Sequence, residues 1–265
     1  MKALLILCIS GAVLAQTPPP AKKAAATNTG APTAAKTAAP RPNPLLNPAS
    51  LKAVAPELYR VKFTTTHGDF IVEVHRDWAP LGADRFYNLV KNRFFTDAAF
   101  FRYVPNFIVQ FGMPANPSVA QAWQNANIKD EPVKQGNKKG TVVFAKTDAP
   151  NTRTTQLFIN LNDNTGLDAQ GFSAFGTVTD GMDVVQGFYS GYGERPDQTA
   201  ITAQGKAYLD KNFPKLDSIK SATIIFPEPA APAVKKAPGA AATGAPAKSE
   251  APATKSAPPP PAKKQ

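Results

Sequence analysis

The sequence predicts a mainly β domain, built as a closed antiparallel barrel with two short helices at its ends. Three observations support this fold class. Short segments of alternating apolar and polar residues recur between Tyr59 and Phe226, turns rich in Gly and Pro separate them, and two segments between them carry apolar residues at helical spacing.

The two ends of the 265-residue chain are predicted to lie outside this domain. Residues 1–15 consist of Lys2, an apolar run and a small residue at the end, which is the pattern of a secretory signal peptide too short to span a membrane. Residues 16–50 and 227–265 are rich in Pro, Ala and Lys, and they are expected to be a disordered linker and a disordered tail. The folded domain is therefore expected at residues 51–226, in an exported protein that is periplasmic or secreted.

Charge and cysteine usage exclude several classes of function. The formal net charge is +11, but most of it lies in the terminal segments, and residues 51–226 keep a charge of only +2. A specific nucleic-acid-binding domain is therefore not expected. The Lys-rich tails would make weak, salt-sensitive contacts with anionic envelope surfaces, or they act only as solubilising linkers. The one cysteine, Cys8, lies in the signal peptide, which excludes disulfides and thiolate chemistry in the mature chain.

The domain is predicted to open with a hairpin and a helix. Tyr59–Thr66 and Phe70–His75 alternate around a turn at Gly68, and the helix is expected to start at Asp77, its cap, and to run to about Asn92. The two histidines, His67 and His75, without a carboxylate cluster make a poor metal site, so both are interpreted as structural or solvent-facing.

The remaining elements follow in order. Residues 114–131 lack periodicity and are interpreted as a long loop. Strands are predicted at Gly140–Lys146, Gln156–Asn160, Phe172–Thr179 and Leu216–Phe226; a second helix is predicted at Gly181–Phe188 with Asp180 as its cap, and an extra helix at Thr202–Asn212.

The most informative stretch is Phe100–Gly112. Pro105 and Asn106 interrupt an aromatic run, which predicts strand, turn and strand, with Arg102 and Gln110 near one another. Two interpretations stay open from these residues alone. One is a surface Arg and an edge Gln, and the other is a cleft with a fixed cation, an amide and an aromatic floor.

These segments together resemble the cyclophilin family of peptidyl-prolyl cis/trans isomerases. The family signature Phe-x-Arg-x-x-Pro-x-Phe-x-x-Gln-x-Gly ends here at Gln110 and Gly112, and the later blocks Gln156–Ile159 and Phe175-Gly176 follow in order. The resemblance implies an eight-stranded cyclophilin-like barrel capped by two helices, isomerase activity without a cofactor, and proline-containing unfolded or partly folded polypeptides as substrates.

The resemblance also implies roles for site residues. Arg102 would donate to the nitrogen of the twisted prolyl amide, and Gln110 would hold the peptide carbonyl or orient Arg102. The implied substrate-binding residues are Phe107, Ile108, Phe158 and Leu167 in the proline pocket, Gln156 in the adjacent groove, Ala145 and Lys146 at a strand edge, and Phe172 closing the pocket. Many members carry a Trp near the position of Gly166 and a His at the position of Phe172, and this chain has neither.

Three functions are compatible with the sequence. The leading hypothesis is an isomerase that accelerates the folding of exported proteins, because slow prolyl steps limit folding. The alternative is a non-catalytic peptide-binding or chaperone module that keeps the barrel, and Arg102 argues against it. An adhesion or scaffold protein is a third reading, which rests on the tails alone.

Overall fold

The computed structural model describes residues 43–227. The predicted signal peptide, residues 16–42 of the predicted linker and residues 228–265 of the predicted tail lie outside the described residues. The strands are β1 (Leu58–Thr65), β2 (Asp69–His75), β3 (Arg102–Val104), β4 (Ile108–Phe111), β5 (Thr141–Phe144), β6 (Leu157–Asn160), β7 (Ala174–Asp180) and β8 (Ile219–Phe226). The helices are α1 (Pro80–Lys91), α2 (Pro117–Trp123), α3 (Gly166–Ala169), α4 (Met182–Gln186), α5 (Gln198–Gln204) and α6 (Lys206–Asn212).

The eight strands form one antiparallel sheet in the order β3-β4-β6-β5-β7-β2-β1-β8. Strands β3 and β8 are its edges, and within residues 43–227 no ladder joins them. An isolated antiparallel bridge between Ala99 and Ser218 links the segments that lead into these two strands. The mainly β, eight-stranded prediction is confirmed. The predicted closed barrel is not shown, because the sheet is curled but open and only this single bridge lies between its two ends.

An aromatic core fills the inside of the curled sheet. Strand β1 alternates between exposed or half-buried and buried residues, so Tyr59, Val61 and Phe63 all point inward. Phe63 and Phe70 are partners across the β1–β2 hairpin, and their rings stack in parallel with centroids 4.8 Å apart. Alternation of this kind is what the sequence shows, and it places one apolar face of each strand against helix α1 and the opposite strands.

The first helix begins three residues later than predicted, and its cap is not local. Helix α1 starts at Pro80, and the Glu131 carboxylate accepts hydrogen bonds from the backbone N–H groups of Leu81 (2.6 Å) and Gly82 (3.0 Å). Asp77 as cap was therefore wrong, because a carboxylate fifty residues away satisfies the free N–H groups at the helix start. Arg153 binds the same carboxylate at 3.0 Å and is itself buried.

The folded domain also starts earlier than residue 51. Residues 44–46 and 48–50 form two turns of 3-10 helix, and the indole Nε1 of Trp123 donates to the backbone oxygen of Leu45 at 2.8 Å. Residues 43–50 thus do not belong to a disordered linker. Trp123 itself ends helix α2, which lies in the segment predicted to be a loop and is capped at its start by the side chain of Asn116.

Within residues 43–227 there are six helices, where the sequence predicts three. The segment predicted as one helix at Thr202–Asn212 is divided into α5 and α6 at Gly205, where φ is 60° and an added Cβ would collide with the backbone oxygen of Ala115. Helix α4 begins after Gly181, which stands at the N-cap in place of the predicted Asp180. Among residues 43–227, none of the helices combines the length and apolar character needed to cross a bilayer.

Candidate active site

Arg102 and Gln110 lie directly opposite each other on β3 and β4. The turn between these strands holds Asn106 at a φ of 59°, a left-handed conformation that asparagine tolerates better than most residues. Arg102 Nη1 donates to Gln110 Oε1 at 3.2 Å, and the Gln110 Nε2 donates to Gln156 Oε1 at 2.7 Å. Three side chains from three neighbouring strands or strand ends are thereby joined in one row.

A glycine makes this row possible. Gly112 has a φ of 94°, and an added Cβ would collide with the backbone oxygen of Thr155. The Thr155 hydroxyl donates to the Gly112 oxygen at 2.9 Å, in the buried interior. The close approach of these two backbones sets Gln156 beside Gln110, and this is the physical reason for the final glycine of the motif.

A carboxylate binds the other side of the guanidinium. Glu194 Oε1 accepts from Arg102 Nε at 2.6 Å and also pairs with Nη2, and the Arg102 side chain keeps 26% of its surface exposed. Glu194 was not predicted from the sequence. It lies in an irregular turn after Gly193, and no periodicity or motif in that segment signals a contact with a strand 92 residues away.

An apolar pocket lies next to this polar row. Ile108, Phe158 and Leu167 are almost fully buried and form its inner part, together with Val143 and Ala174. Phe107, Ala145 and Phe172 pack against them from the half-buried rim. The structure therefore brings together the four residues expected in a proline pocket. Phe172 packs edge-on against Phe158, with ring centroids 5.7 Å apart and an interplanar angle of 70°.

The strand edge at Ala145 and Lys146 lies at the rim of the same pocket. The ammonium of Lys146 sits 5.1 Å from the centroid of the Phe172 ring, within reach of a cation–π contact. The Ala145 N–H already donates to the Gln156 backbone oxygen at 2.9 Å. That donor is therefore occupied by the protein itself, which narrows the backbone contacts that this edge can offer to a bound peptide.

A network of asparagine side chains, which was not predicted from the sequence, supports the loops that form the pocket. Asn160 is fully buried at the end of β6, where its Nδ2 donates to Thr141 Oγ1 at 2.8 Å and to Asn137 Oδ1 at 3.1 Å. Asn164 donates to Asn160 Oδ1 at 2.7 Å and to the Phe107 backbone oxygen at 2.9 Å.

The network continues to the other rim of the pocket. Asn137 Nδ2 donates to the Phe172 backbone oxygen at 2.8 Å and to Asp168 Oδ1 at 2.7 Å. The two loops that carry Phe107 and Phe172 are thus tied to one buried group of side chains. An asparagine directly after the apolar run of β6 was the available signal, because a buried polar group requires partners.

A polar cleft of about 600 Å³ continues from Gln156 and Met113, between helices α2 and α5. Its walls carry amide and hydroxyl groups but no charged side chain; the lining residues include Gln121, Gln124, Gln198 and Thr202. The site thus combines a held guanidinium, an apolar pocket and an adjoining polar groove, an arrangement suited to binding an extended peptide around an apolar ring.

The two histidines lie away from this arrangement. His75 stacks on Trp78 with ring centroids 4.2 Å apart and contacts Glu73, and His67 packs edge-on against Phe188. Within residues 43–227, no group of three or more His, Cys, Asp or Glu side chains is arranged to hold a metal ion.

Comparison with known proteins identifies the class to which this fold and site belong. The family model described as Cyclophilin type peptidyl-prolyl cis-trans isomerase/CLD matches residues 60–204, which include Arg102, the pocket and Glu194. The chain belongs to the cyclophilin-type peptidyl-prolyl cis-trans isomerase family.

Relatives of the chain carry the same name. It is 36% identical over 130 residues to a peptidyl-prolyl cis-trans isomerase of Acinetobacter baylyi, an alignment that covers 47% of this chain and 69% of the relative. It is 32% identical over 174 residues to peptidyl-prolyl cis-trans isomerase B of Escherichia coli, covering 62% of this chain and 98% of the relative. A solved cyclophilin-type isomerase of Cryptosporidium parvum aligns with 19% identity and a TM-score of 0.49, covering 63% of this chain and 97% of that one.

Proposed function

We propose that this protein isomerises X-Pro bonds in exported polypeptides, with Arg102 as the catalytic donor. The observation that carries the proposal is the Arg102 guanidinium, held by Gln110 beside an apolar pocket formed by Ile108, Phe158 and Leu167. Family membership and the names of the relatives support the same reaction.

The reaction requires that amide resonance be lost. Rotation about the C–N bond meets a barrier of about 18–20 kcal/mol, because the partial double bond must be broken in the twisted state. In that state the nitrogen becomes pyramidal and gains a lone pair that can accept a hydrogen bond. A donor that meets this lone pair only in the twisted state lowers the barrier selectively. Arg102 suits this role because a guanidinium stays charged and holds its donors in a rigid plane.

The other site residues divide into two groups. Phe107, Ile108, Phe158 and Leu167 would enclose the proline ring, with Phe172 closing one side of the pocket. Gln110 would orient Arg102 and Gln156 would line the groove for the flanking residues; the Ala145–Lys146 edge borders the same groove. A site of this kind requires an accessible proline. The expected substrates are therefore proline-containing segments of unfolded or partly folded polypeptides.

The exported setting is supported by the sequence of the first 15 residues, with one Lys before an apolar run. In a periplasmic or secreted location the enzyme would accelerate slow prolyl steps in newly exported chains. The Lys-rich segments before and after the domain would add weak electrostatic contact with anionic envelope surfaces.

The second candidate function is a non-catalytic peptide-binding or chaperone module, favoured by the absence of the pocket His and by Lys146 against Phe172. Refolding of a test protein with a proline-limited slow phase separates the two. A catalyst accelerates the slow phase at substoichiometric concentration, whereas a binding module suppresses aggregation but leaves the rate of that phase unchanged. An unchanged slow phase over a wide range of concentrations would count against the isomerase.

A further inference from the structure

Glu194 binds two of the nitrogens of the Arg102 guanidinium, Nε and Nη2, along one edge of the group. We infer that Glu194 is a positioning residue for the isomerase reaction, because it holds one edge of Arg102 so that the opposite part faces the pocket. The inference rests on the proposed function of Arg102 and names a residue that neither the motif nor the pocket includes.

The positions of the N–H donors on the Arg102 guanidinium explain how Glu194 can orient it. A guanidinium has five N–H donors in a fixed plane. Glu194 Oε1 takes the edge formed by Nε and Nη2, and Gln110 Oε1 takes one N–H of Nη1. Within residues 43–227, one N–H on Nη1 and one on Nη2 therefore remain without a partner. With partners on two sides, the plane of the guanidinium cannot rotate freely about its long side chain.

The loop that carries Glu194 is itself attached to the strand that carries Arg102. Tyr103, the next residue on β3, donates its backbone N–H to the Gly193 oxygen at 3.1 Å. The Tyr103 hydroxyl donates to the Gln186 oxygen at 2.9 Å, and burial raises the pKa of this hydroxyl, which keeps it a neutral donor. Arg195 closes the turn by donating to the Gly191 and Tyr192 oxygens. The Glu194 carboxylate therefore belongs to a loop that is attached to β3, because the preceding residue, Gly193, accepts a backbone hydrogen bond from that strand.

A purely stabilising ion pair would not explain this placement. The Glu194 side chain is 61% exposed, and exposed pairs contribute little to folding stability because water screens them. A contribution to folding stability is therefore not the main effect of Glu194. Its evident effect is on the orientation of Arg102, and preorganised donors are what electrostatic catalysis depends on.

The test compares Glu194→Ala and Glu194→Gln in the full-length protein, with Asp210→Asn as the matched control. Asp210 is an exposed carboxylate in an ion pair with Lys206 on α6. Glu194→Ala is expected to lower kcat/KM for a short proline peptide about fivefold, mainly through kcat, because the binding pocket is untouched. Glu194→Gln keeps an acceptor oxygen at the same reach and should recover at least half of the loss, and the control should match the unaltered protein.

A second readout is independent of activity. The Arg102 Nε–H resonance, assigned by its loss in Arg102→Lys, should exchange slowly with water in the unaltered protein and in Glu194→Gln, but fast in Glu194→Ala. Unchanged or higher kcat/KM in Glu194→Ala, or an unchanged exchange rate, would overturn the positioning role. If the unaltered protein has no isomerase activity, the proposed function fails, while the exchange experiment still decides whether Glu194 holds Arg102.

Discussion

Gln110 binds Arg102 and Gln156 at the same time, accepting from Arg102 Nη1 at 3.2 Å and donating to Gln156 at 2.7 Å. Because the Gln110 side chain is buried, its amide orientation is fixed by these two partners, with the oxygen toward the guanidinium. The proposed catalytic cation, Arg102, and the proposed peptide groove at Gln156 are therefore linked through one amide.

The first prediction concerns Arg102. Arg102→Ala should reduce kcat/KM for a short proline peptide about a hundredfold or more, which is the usual effect of removing a donor to the transition state. Arg102→Lys should recover little, because an ammonium on a flexible stem cannot reproduce the planar fork. A protease-coupled peptide assay measures both, and Arg60→Ala, which removes an exposed arginine from β1, is the matched control.

Thermal unfolding of the variants must be compared first. Arg102 lies on an edge strand with a partly exposed side chain, so both variants should unfold close to the unaltered protein. Near-full activity of Arg102→Lys would show that charge alone suffices and that the guanidinium geometry is not used.

Glu131 should be among the most important side chains for stability. Its carboxylate caps α1 and pairs with Arg153, and only 7% and 2% of these two side chains are exposed. Burial and the nearby Arg153 lower the pKa of Arg85 to about 10. Glu131→Gln should therefore lower the free energy of unfolding by about 3 kcal/mol, the cost of breaking a buried pair.

Urea denaturation measures this loss. The exposed pair Lys206–Asp210 provides the comparison, and Asp210→Asn should cost less than about 1 kcal/mol because both side chains are solvated. Equal effects of the two substitutions would contradict a special role for the buried carboxylate.

Local patterns in the sequence predicted much of the fold and two of the three side chains in the polar row. The alternation of apolar and polar residues predicted strands β1 and β2. The spacing of Arg102 and Gln110 around the Pro105–Asn106 turn predicted that these two side chains lie close together. Both features depend on residues close in sequence, within reach of strand periodicity and turn chemistry.

The features that were missed depend on contacts between distant residues. The cap of α1 comes from Glu131 rather than Asp77, and the second partner of Arg102 comes from a loop after β7. Helix α2 has only seven residues, too few for a helical stripe to be distinguished from a loop. Residues 43–50 contain only Leu45 and Leu46 as large apolar side chains, so their packing depends on Trp123 and could not be read locally.

Asn160 provides a prediction about the support of the pocket. Its amide is fully buried and binds Thr141, Asn137 and Asn164. Asn160→Ala would leave several of these polar groups without a partner and should lower the free energy of unfolding by about 2–3 kcal/mol.

The same substitution should raise KM, because Phe107 and Phe172 are tied to this network through their backbone oxygens. Asn212→Ala is the control, since the Asn212 amide donates to the Tyr208 oxygen on exposed α6. Loss of stability without any change in KM would show that the network supports the fold but not the pocket.

The ion pair between Arg60 and Glu73 should make a pH-dependent contribution to stability. Hydrogen bonding by Arg60 holds the pKa of Glu73 below its ordinary value of 4.5, and His75 adds a smaller effect in the same direction. A lowered folded-state pKa means that the contribution is present above about pH 4.5 and is lost as the pH falls through the lowered value.

Glu73→Gln should therefore destabilise the protein near pH 7 by at most about 1 kcal/mol, since Arg60 is half exposed, and the difference should vanish near pH 2. Urea denaturation at the two pH values measures it, and Arg60→Gln should show the same trend. A difference that persists in acid would mean that the packing of Glu73, rather than its charge, is responsible.

Truncation tests both the boundaries of the domain and the role of the terminal segments. A chain of residues 43–227 should keep the full activity on a short peptide, because it contains Arg102, both of its side-chain partners and the whole apolar pocket. A chain of residues 51–227 should be less stable by about 1–3 kcal/mol, since it loses the packing of Leu45 and leaves the buried Trp123 indole without its acceptor. Thermal unfolding of the two truncated chains should therefore separate them, with the shorter one unfolding at lower temperature.

Binding of the full chain to anionic vesicles should be stronger than that of residues 43–227, and it should weaken with added salt because exposed charges are screened. Equal stability of the two truncated chains would return the boundary to residue 51, and vesicle binding insensitive to salt would exclude an electrostatic role for the Lys-rich segments.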